Sequence, residues 1–420
     1  MKTIEVLDAL PGTGKSTAIF QWMNERKGNK YIYVSPLLTE VTDTIDEETK
    51  EPIIARVNKD KVAKQLNFKS PEGYGKSVEV LKLLEDGENI SCTHALFLKM
   101  SEAHWQAIKD QEYILILDEE IAVIEKFTEG KKGDLPLLIS LGECSIEGPY
   151  SKVILKGNAE KFKATSLNGV VEAAYQGILY TSKTESQRDF LVTQIPVDLL
   201  LAAKQVIVLT YSFDGSILSR FLDLHGIKWK YFNIPLHKTN EEVIRVLKQK
   251  INFKSTRAIE GISRFRLSAS WYDGAERAKL QRVGDALRSV ARTVPDERLL
   301  VTLPKTNAEK GSRYVGNSKM RAISKSWLWA GTRATNDHAD KNVVVHLYNR
   351  YPSANVKTYF HSHGFPIDDD QFALSEMIQF IFRSAIRKGE SIDLYMASPR
   401  MKKLFQDWLD SAETDLLEAA

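Results

Sequence analysis

Short apolar runs, each closed by small or polar residues and followed by a stretch with helical spacing, recur along the chain. Thr3-Ile-Glu-Val-Leu-Asp-Ala9 reads as a strand, and Ala18–Asn24 places its apolar residues at the intervals of a helix. Lys30–Pro36 reads as a second strand, with a helix starting in Leu37–Asp43; Asn89–Phe97 reads as a short strand leading into a turn and helix. Tyr113-Ile-Leu-Ile-Leu-Asp118 and Gln205–Thr210 are continuous apolar runs, the mark of parallel strands buried on both faces. After Trp229–Ile234 the rhythm resumes. Ala275–Ala291 predicts a helix, Arg298–Pro304 and Val343–Leu347 predict strands, and Leu374–Arg387 predicts one helix that sets Gln379, Arg383 and Arg387 on a shared face. Strand, loop and helix in alternation predict an α/β fold of mainly parallel sheets flanked by helices.

Two stretches break the rhythm. Asp46–Gly75 is polar and reads as a surface excursion. Residues 128–200 read as an insertion, with Val153–Asn158 as an edge strand. A chain of 420 residues exceeds one ordinary core, so two domains are expected, 1–235 and 236–420, joined near Pro235–Thr239.

Hydrophobic content of 43% and charged content of 27% are those of a soluble globular protein, and no apolar run is long enough for a membrane span. Because the chain opens on a strand, no secretion signal is expected. The only cysteines, Cys92 and Cys144, suit a reducing compartment and exclude a cysteine-based zinc cluster. A cytoplasmic location is expected, in the host cytoplasm if the protein is viral, with no membrane partner.

Net charge is only +3, but from Ile251 to Arg333 there are 17 Lys and Arg against 7 Asp and Glu. A basic block in an otherwise acidic chain is the electrostatic footprint of nucleic-acid binding, although a solvated helix face gives the same count. Within Gly311–Asn336, Arg313, Lys319, Arg321, Lys325 and Arg333 interleave with Tyr314, Trp327 and Trp329. That mixture neutralises phosphates and stacks bases, or buries a tryptophan in a core.

The most specific chemistry lies in Leu10-Pro-Gly-Thr-Gly-Lys-Ser-Thr17, between the first strand and the first helix. Gly12 and Gly14 let backbone N–H groups turn around a polyphosphate, and the helix adds the positive end of its dipole. Gly12, Thr13, Gly14, Lys15, Ser16 and Thr17 are the candidate nucleotide contacts. Lys15 reaches the terminal phosphates, and the Ser16 hydroxyl is a ligand for Mg²⁺. Ala9 stands where a first glycine is usual. About a hundred residues on, the apolar run ends in Asp118-Glu119-Glu120, which pairs a metal carboxylate, Asp118, with a water-polarising one, Glu119. ATP and Mg²⁺ are therefore the expected cofactors. His94 is read as an ordinary loop histidine or a phosphate contact. Thr210 and Ser212 are read as a strand-end turn or a link toward the second domain. His361, His363 and Asp368-Asp-Asp370 match no tight metal spacing.

Phosphate loop, strand-borne Asp-Glu, the Thr210-Tyr-Ser212 turn and the terminal Gln379-Phe-Ile-Phe-Arg-Ser-Ala-Ile-Arg387 resemble, in that order, the motifs of superfamily 2 helicases. Ala334–Asp340, Leu374–Gln379 and Ser398–Met401 look like a bacteriophage branch of that superfamily, and the similarity covers nearly the whole chain. The resemblance implies two RecA-like domains with ATP in the cleft and a nucleic-acid strand across both. It gives Lys15, Ser16, Asp118 and Glu119 ATPase roles, makes Gln379 a water-orienting group, and makes Arg383 or Arg387 the arginine finger. It implies backbone contacts with nucleic acid from Ser35, Thr39, Thr93, Thr332 and Thr335, beside Arg313, Arg321 and Arg333. The chain departs from the family in the spacing of Gln379 and its arginines, in reading Asp-Glu-Glu, and in beginning too close to the phosphate loop for an upstream adenine-reading motif, so loose base selectivity is expected. The expected activity is that of an ATP-dependent helicase or translocase, acting on single-stranded or tailed DNA with replication or recombination proteins. Two alternatives stand beside it: a terminase-like packaging ATPase, whose nuclease carboxylates would have to be Asp368-Asp-Asp370, and an accessory protein that ATP only switches.

Overall fold

The computed structural model describes residues 2–45, 50–73, 75–304, 326–330 and 337–418, with side chains as far as 411. It divides into two compact units. The first comprises Met1–Asp8, Ser16–Pro235 and Pro352–Asp368; the second comprises Ala9–Lys15, Leu236–Tyr351 and Asp369–Ala420.

The first unit is built on a six-stranded sheet in the order Lys228–Tyr231, Thr3–Asp8, Gln205–Thr210, Ile114–Asp118, Tyr31–Ser35, Ile90–Thr93. Every pairing in it is parallel. Ile114–Asp118 and Tyr31–Ser35 are buried along their full length, as their unbroken apolar character requires of strands covered on both faces. One strand, Gln205–Thr210, separates the strand leading to the phosphate loop from the one ending in the carboxylates. Both of those strands end on the same edge of the sheet, where open α/β sheets bind ligands.

Residues 124–194 form a second sheet of this unit with antiparallel pairing, ordered Ile124–Lys126, Val192–Gln194, Leu179–Tyr180, Lys152–Leu155, Cys144–Glu147. It has its own core of Phe127, Leu135, Leu138, Val153, Val170 and Leu191, among others. The expectation of an edge strand near Val153 is corrected: Lys152–Leu155 is paired on both sides, because Val153 points into that core while the true edge, Cys144–Glu147, lies beyond it. The helix Ala354–Ser362 belongs to this unit too. It is anchored there by Tyr359 Oη donating to Tyr150 O at 2.9 Å, Asn355 Nδ2 donating to Leu191 O at 2.9 Å, and the Lys183 N–H donating to Ser362 Oγ at 3.0 Å.

The second unit has a four-stranded parallel sheet ordered Ile251–Lys254, Ile392–Met396, Val343–His346, Leu299–Thr302. Leu299, Val301, Val343 and Val345 alternate with residues of the opposite face and pack on Leu280, Val283, Leu287 and Val290 of the helix Arg277–Ala291. Both units are therefore mainly parallel α/β sheets flanked by helices, as the sequence predicts.

Two further expectations change. The single helix through Leu374–Arg387 ends at Ile381, and Ala385–Lys388 form a separate 3₁₀ turn. Ser384 makes the break: its Oγ donates to Ile381 O at 2.6 Å, and the following Ala385 N–H turns away to Lys341 O at 2.8 Å. The polar excursion at 46–75 is not wholly solvent-facing, since Ala55, Val57, Ala63, Leu66 and Phe68 are buried.

Candidate active site

The loop after Thr3–Asp8 turns through Gly12 at φ +88° and Gly14 at φ +92°, a region that costs other residues strain. Thr13 is buried, its Oγ1 donating to Leu10 O at 2.8 Å and closing the turn. Lys15 Nζ lies over the loop, donating to Ala9 O and, at 3.2 Å, to Leu10 O. Within the second unit this loop is tied to its neighbours by the Leu10 N–H donating to Asn240 Oδ1 at 2.8 Å and the His237 N–H donating to Thr13 O at 3.1 Å. A Cβ on Gly14 would stand 2.5 Å from His237 Cδ2. Gly14→Ala therefore meets both a forbidden backbone region and a ring. It is expected to lower nucleotide affinity by at least tenfold (about 1.4 kcal/mol) in equilibrium binding and to lower the melting temperature as well, since the strained backbone alone costs about 1–3 kcal/mol.

Ser16 and Thr17 open the helix Lys15–Asn24, with Ala18, Ile19, Phe20 and Met23 buried beneath it. Ser16 Oγ donates to Asp118 Oδ2 at 3.2 Å, across 102 residues of sequence. Two hard oxygen donors this close, at a helix N-terminus and a strand end, fit Mg²⁺, which takes few protein ligands and completes its shell with phosphate and water. Among the described residues no cluster of three or more His, Cys, Asp or Glu forms an all-protein metal cage.

Asp118 is buried at 8% exposure. Its Oδ2 also accepts from the Tyr33 hydroxyl, and its backbone carbonyl lies 3.1 Å from His94 Nε2. Glu119 has a left-handed backbone, φ 69°, and its N–H donates to Leu209 O at 3.0 Å. Glu120 is buried and accepts from Thr210 Oγ1 at 2.8 Å, so that hydroxyl serves the carboxylate turn. Asp8 accepts from the Ser212 and Phe213 N–H groups at 2.7 and 2.9 Å and fixes the turn after Gln205–Thr210.

Behind Asp118 lies a polar group that sequence reasoning missed. Tyr33 is fully buried, and burial, followed by the charges of Asp118 and Glu40, pushes its phenol well above the usual tyrosine range. It is a neutral donor at any working pH. Glu40 accepts from Ser35 Oγ and lies 3.8 Å from Arg56 Nη1. Burial and then Asp118 raise the Glu40 carboxyl, while the Ser35 bond and Arg56 pull it down. For Arg56, burial opposes the charge, but Tyr33, Asp118 and Glu40 outweigh it and raise the guanidinium. No signal in the sequence singled out Tyr33, since the same five-residue strand also holds Tyr31 and Ser35.

The remaining candidates scatter. Ser35 is buried with its hydroxyl on Glu40, and Thr39 is exposed on the short helix Leu38–Val41. Thr93 caps the helix His94–Phe97, accepting from the Leu96 N–H at 3.3 Å. Gln379 is half-buried on Asp369–Ile381; Arg383 is 6% exposed and Arg387 is exposed, lining a cavity of about 470 Å³ with Ala339, Asp340 and Lys388. The residue before Arg383, Phe382, is the nearest neighbour of a Cβ on Gly12, at 3.8 Å, and both belong to the second unit. Arg313, Arg321, Thr332, Arg333 and Thr335 lie outside the described residues. In the described part of the basic block, Phe265 stacks on Trp271 with centroids 5.2 Å apart, and the Arg282 guanidinium sits 5.2 Å from the Phe265 ring centre. Exposed Arg264, Arg266 and Arg277 lie in the same stretch of chain. Asp370, central to the packaging alternative, is paired with Arg400 at 2.6 Å, and His363 Nε2 lies 3.2 Å from Ser151 Oγ.

Residues 238–409 match a family model described as the YonV C-terminal Rossmann-like domain. Over 429 residues the chain is 29% identical to the SPbeta prophage-derived uncharacterized protein YonV of Bacillus subtilis (strain 168), covering 98% of this chain and 100% of that protein. Among solved structures, S. tokodaii Xpd4 aligns with a TM-score of 0.47 and 10% identity, covering 97% of this chain and 94% of that one.

Proposed function

We propose that the chain is an ATP-dependent nucleic-acid translocase or helicase acting on single-stranded or tailed DNA, in phage replication or recombination. The observation that carries the reading is the Ser16–Asp118 contact of 3.2 Å, which joins the helix after a phosphate-binding turn to a carboxylate at a strand end. Mg²⁺, when bound with ATP, neutralises phosphate charge at that pair. Backbone N–H groups of Gly12–Ser16 cradle the phosphates, Lys15 moves from its own loop's carbonyls to the terminal phosphates, and Glu119 takes a proton from the attacking water. Arg383 stabilises the charge that develops on the transferred phosphoryl. The basic block, with exposed Arg264, Arg266 and Arg277, supplies phosphate-neutralising charge for one strand. The similarity to a prophage-derived protein along the full chain supports the phage setting.

Turnover of ATP is expected to rise when oligo-dT is added. Lys15→Ala is expected to lower the stimulated rate by roughly 10²–10³-fold, the loss typical of removing one preorganised charge-stabilising donor. A stimulated rate in Lys15→Ala equal to that of the native chain refutes the assignment. Strand displacement on tailed duplexes of both polarities then separates helicase from translocase.

A further inference from the structure

Asp118 is held by a partner that has no place among phosphate-loop or strand-end motifs. In a parallel pair, residues level with each other face the same side of the sheet, and so do residues two apart on one strand. Tyr33 is level with Ile116, so its side chain shares a face with Asp118 and its phenol reaches forward to it. The hydroxyl donates to Asp118 Oδ2. The ring is fully buried, with Phe20 at a centroid distance of 5.1 Å and Phe68 at 6.1 Å, so the hydroxyl has no room to swing elsewhere. Phe20 belongs to the helix Lys15–Asn24 and follows Ser16 by one turn, on the same helix face. The Phe20–Tyr33 contact thus ties the helix that offers Ser16 to the donor that holds Asp118.

The hydroxyls of Tyr33 and Ser16 donate to the same carboxylate oxygen, Oδ2, and Oδ1 receives neither. A carboxylate oxygen has about two lone-pair positions, so two donors fill it. Asp118 is therefore arranged to offer a cation one oxygen, Oδ1, and not a chelating pair. Ser16 is itself a hard oxygen donor, and its hydroxyl turns away from Oδ2 when it serves a cation. Tyr33 then keeps Oδ2 occupied and fixes the rotation of the group, as outer-shell partners do for metal ligands.

The number of carboxylate oxygens on offer separates two divalent cations. Mg²⁺ demands near-octahedral geometry at about 2.0–2.1 Å, which the narrow bite of one carboxylate does not fit. Ca²⁺ takes about six to eight oxygens in flexible geometry and accepts a carboxylate through one oxygen or both. We propose that Tyr33 is a positioning residue that sets the metal preference of the nucleotide site: by occupying Oδ2 it makes Asp118 a one-oxygen ligand and favours Mg²⁺ over Ca²⁺. The inference rests on the nucleotide-site reading above and deepens it by naming the side chain that selects the cation.

The test uses the full chain and a fluorescent ATP analogue in equilibrium titrations without divalent cation, with MgCl₂ and with CaCl₂. In the native chain Mg²⁺ tightens nucleotide binding more than Ca²⁺ does. Tyr33→Phe keeps the ring and removes the donor. It is expected to lower the Mg²⁺ gain about tenfold, at the lower end of losses seen for outer-shell partners, while the Ca²⁺ gain and the metal-free affinity stay native. Tyr31→Phe is the control, because Tyr31 is equally buried on the same strand but its hydroxyl donates to Arg26 O at 2.9 Å and not to a carboxylate. It is expected to keep both gains, and thermal melts establish that each variant is folded. A native ratio of the two gains in Tyr33→Phe, or an equal loss of both, overturns the role, as does a native chain in which the two gains are equal. A crystal structure of the native chain with a non-hydrolysable ATP analogue and MgCl₂ checks the same point without a variant: Tyr33 on Oδ2 with the cation on the Oδ1 side supports the inference, and both Asp118 oxygens on the cation overturn it. A native chain that binds no analogue, or binds it without response to either cation, overturns the nucleotide-site reading and this inference with it.

Discussion

Arg383→Ala is expected to reduce ATP turnover by about 10³-fold or more while leaving nucleotide affinity close to native, because a guanidinium acting on the transferred phosphoryl contributes in the transition state. The helix that carries Gln379 stops at Ile381, so Arg383 and Arg387 leave it in different environments. Arg383 is buried, its N–H donates to Phe380 O at 3.0 Å, and it follows the ring nearest to Gly12. Arg387 is exposed in the next turn, and Arg387→Ala is expected to leave turnover near the native rate. Arg383→Lys keeps the charge and loses the planar fork, so it separates chemistry from folding: it is expected to melt close to native and still turn over poorly. Single-turnover hydrolysis decides the matter. If the loss follows Arg387 and not Arg383, the finger is assigned to the wrong turn.

Glu119→Gln comes next in size, with an expected loss of roughly 10²–10⁴-fold in turnover, the range of a positioned general base, and unimpaired nucleotide binding. Glu119 is the proposed base and not Glu120, whose carboxylate is buried on Thr210 Oγ1. Glu119 instead occupies a left-handed backbone at φ 69°, which costs a non-glycine residue about 1–3 kcal/mol. That strain gives a second readout. Glu119→Gly relieves it, and is expected to raise the melting temperature while abolishing turnover. A Glu119→Gln variant with native turnover, measured alongside retained binding of the analogue, removes Glu119 from the mechanism.

Parts of the site and fold were legible because they are local. The phosphate loop occupies consecutive residues, Leu10–Thr17, so its glycines and lysine are read without knowing what lies across from them. Ile114–Asp118 announces burial by its unbroken apolar run, and the parallel sheets follow from strands and helices in alternation. Where the reading erred, long-range contacts overrode local pattern. Leu374–Arg387 has helical spacing throughout, yet the Ser384 hydroxyl and the Lys341 carbonyl end the helix early and send two equivalent-looking arginines to unlike surroundings. Val153 looks like an edge because its second partner, Leu179–Tyr180, is only two residues long and lies more than twenty residues further along the chain.

By itself, the sequence determined the α/β class, the glycine turn after the first strand and the buried strand that ends in carboxylates, since each depends on neighbours a few residues apart and on the period of apolar positions. Only the tertiary structure decided that Tyr33 grips Asp118 across 85 residues, that Glu40 and Arg56 stand behind them, and that Arg383 is buried where Arg387 is exposed. A buried polar side chain takes whichever partner the packing brings to it. Its hydrogen bond is a property of the folded core, and no local spacing encodes it.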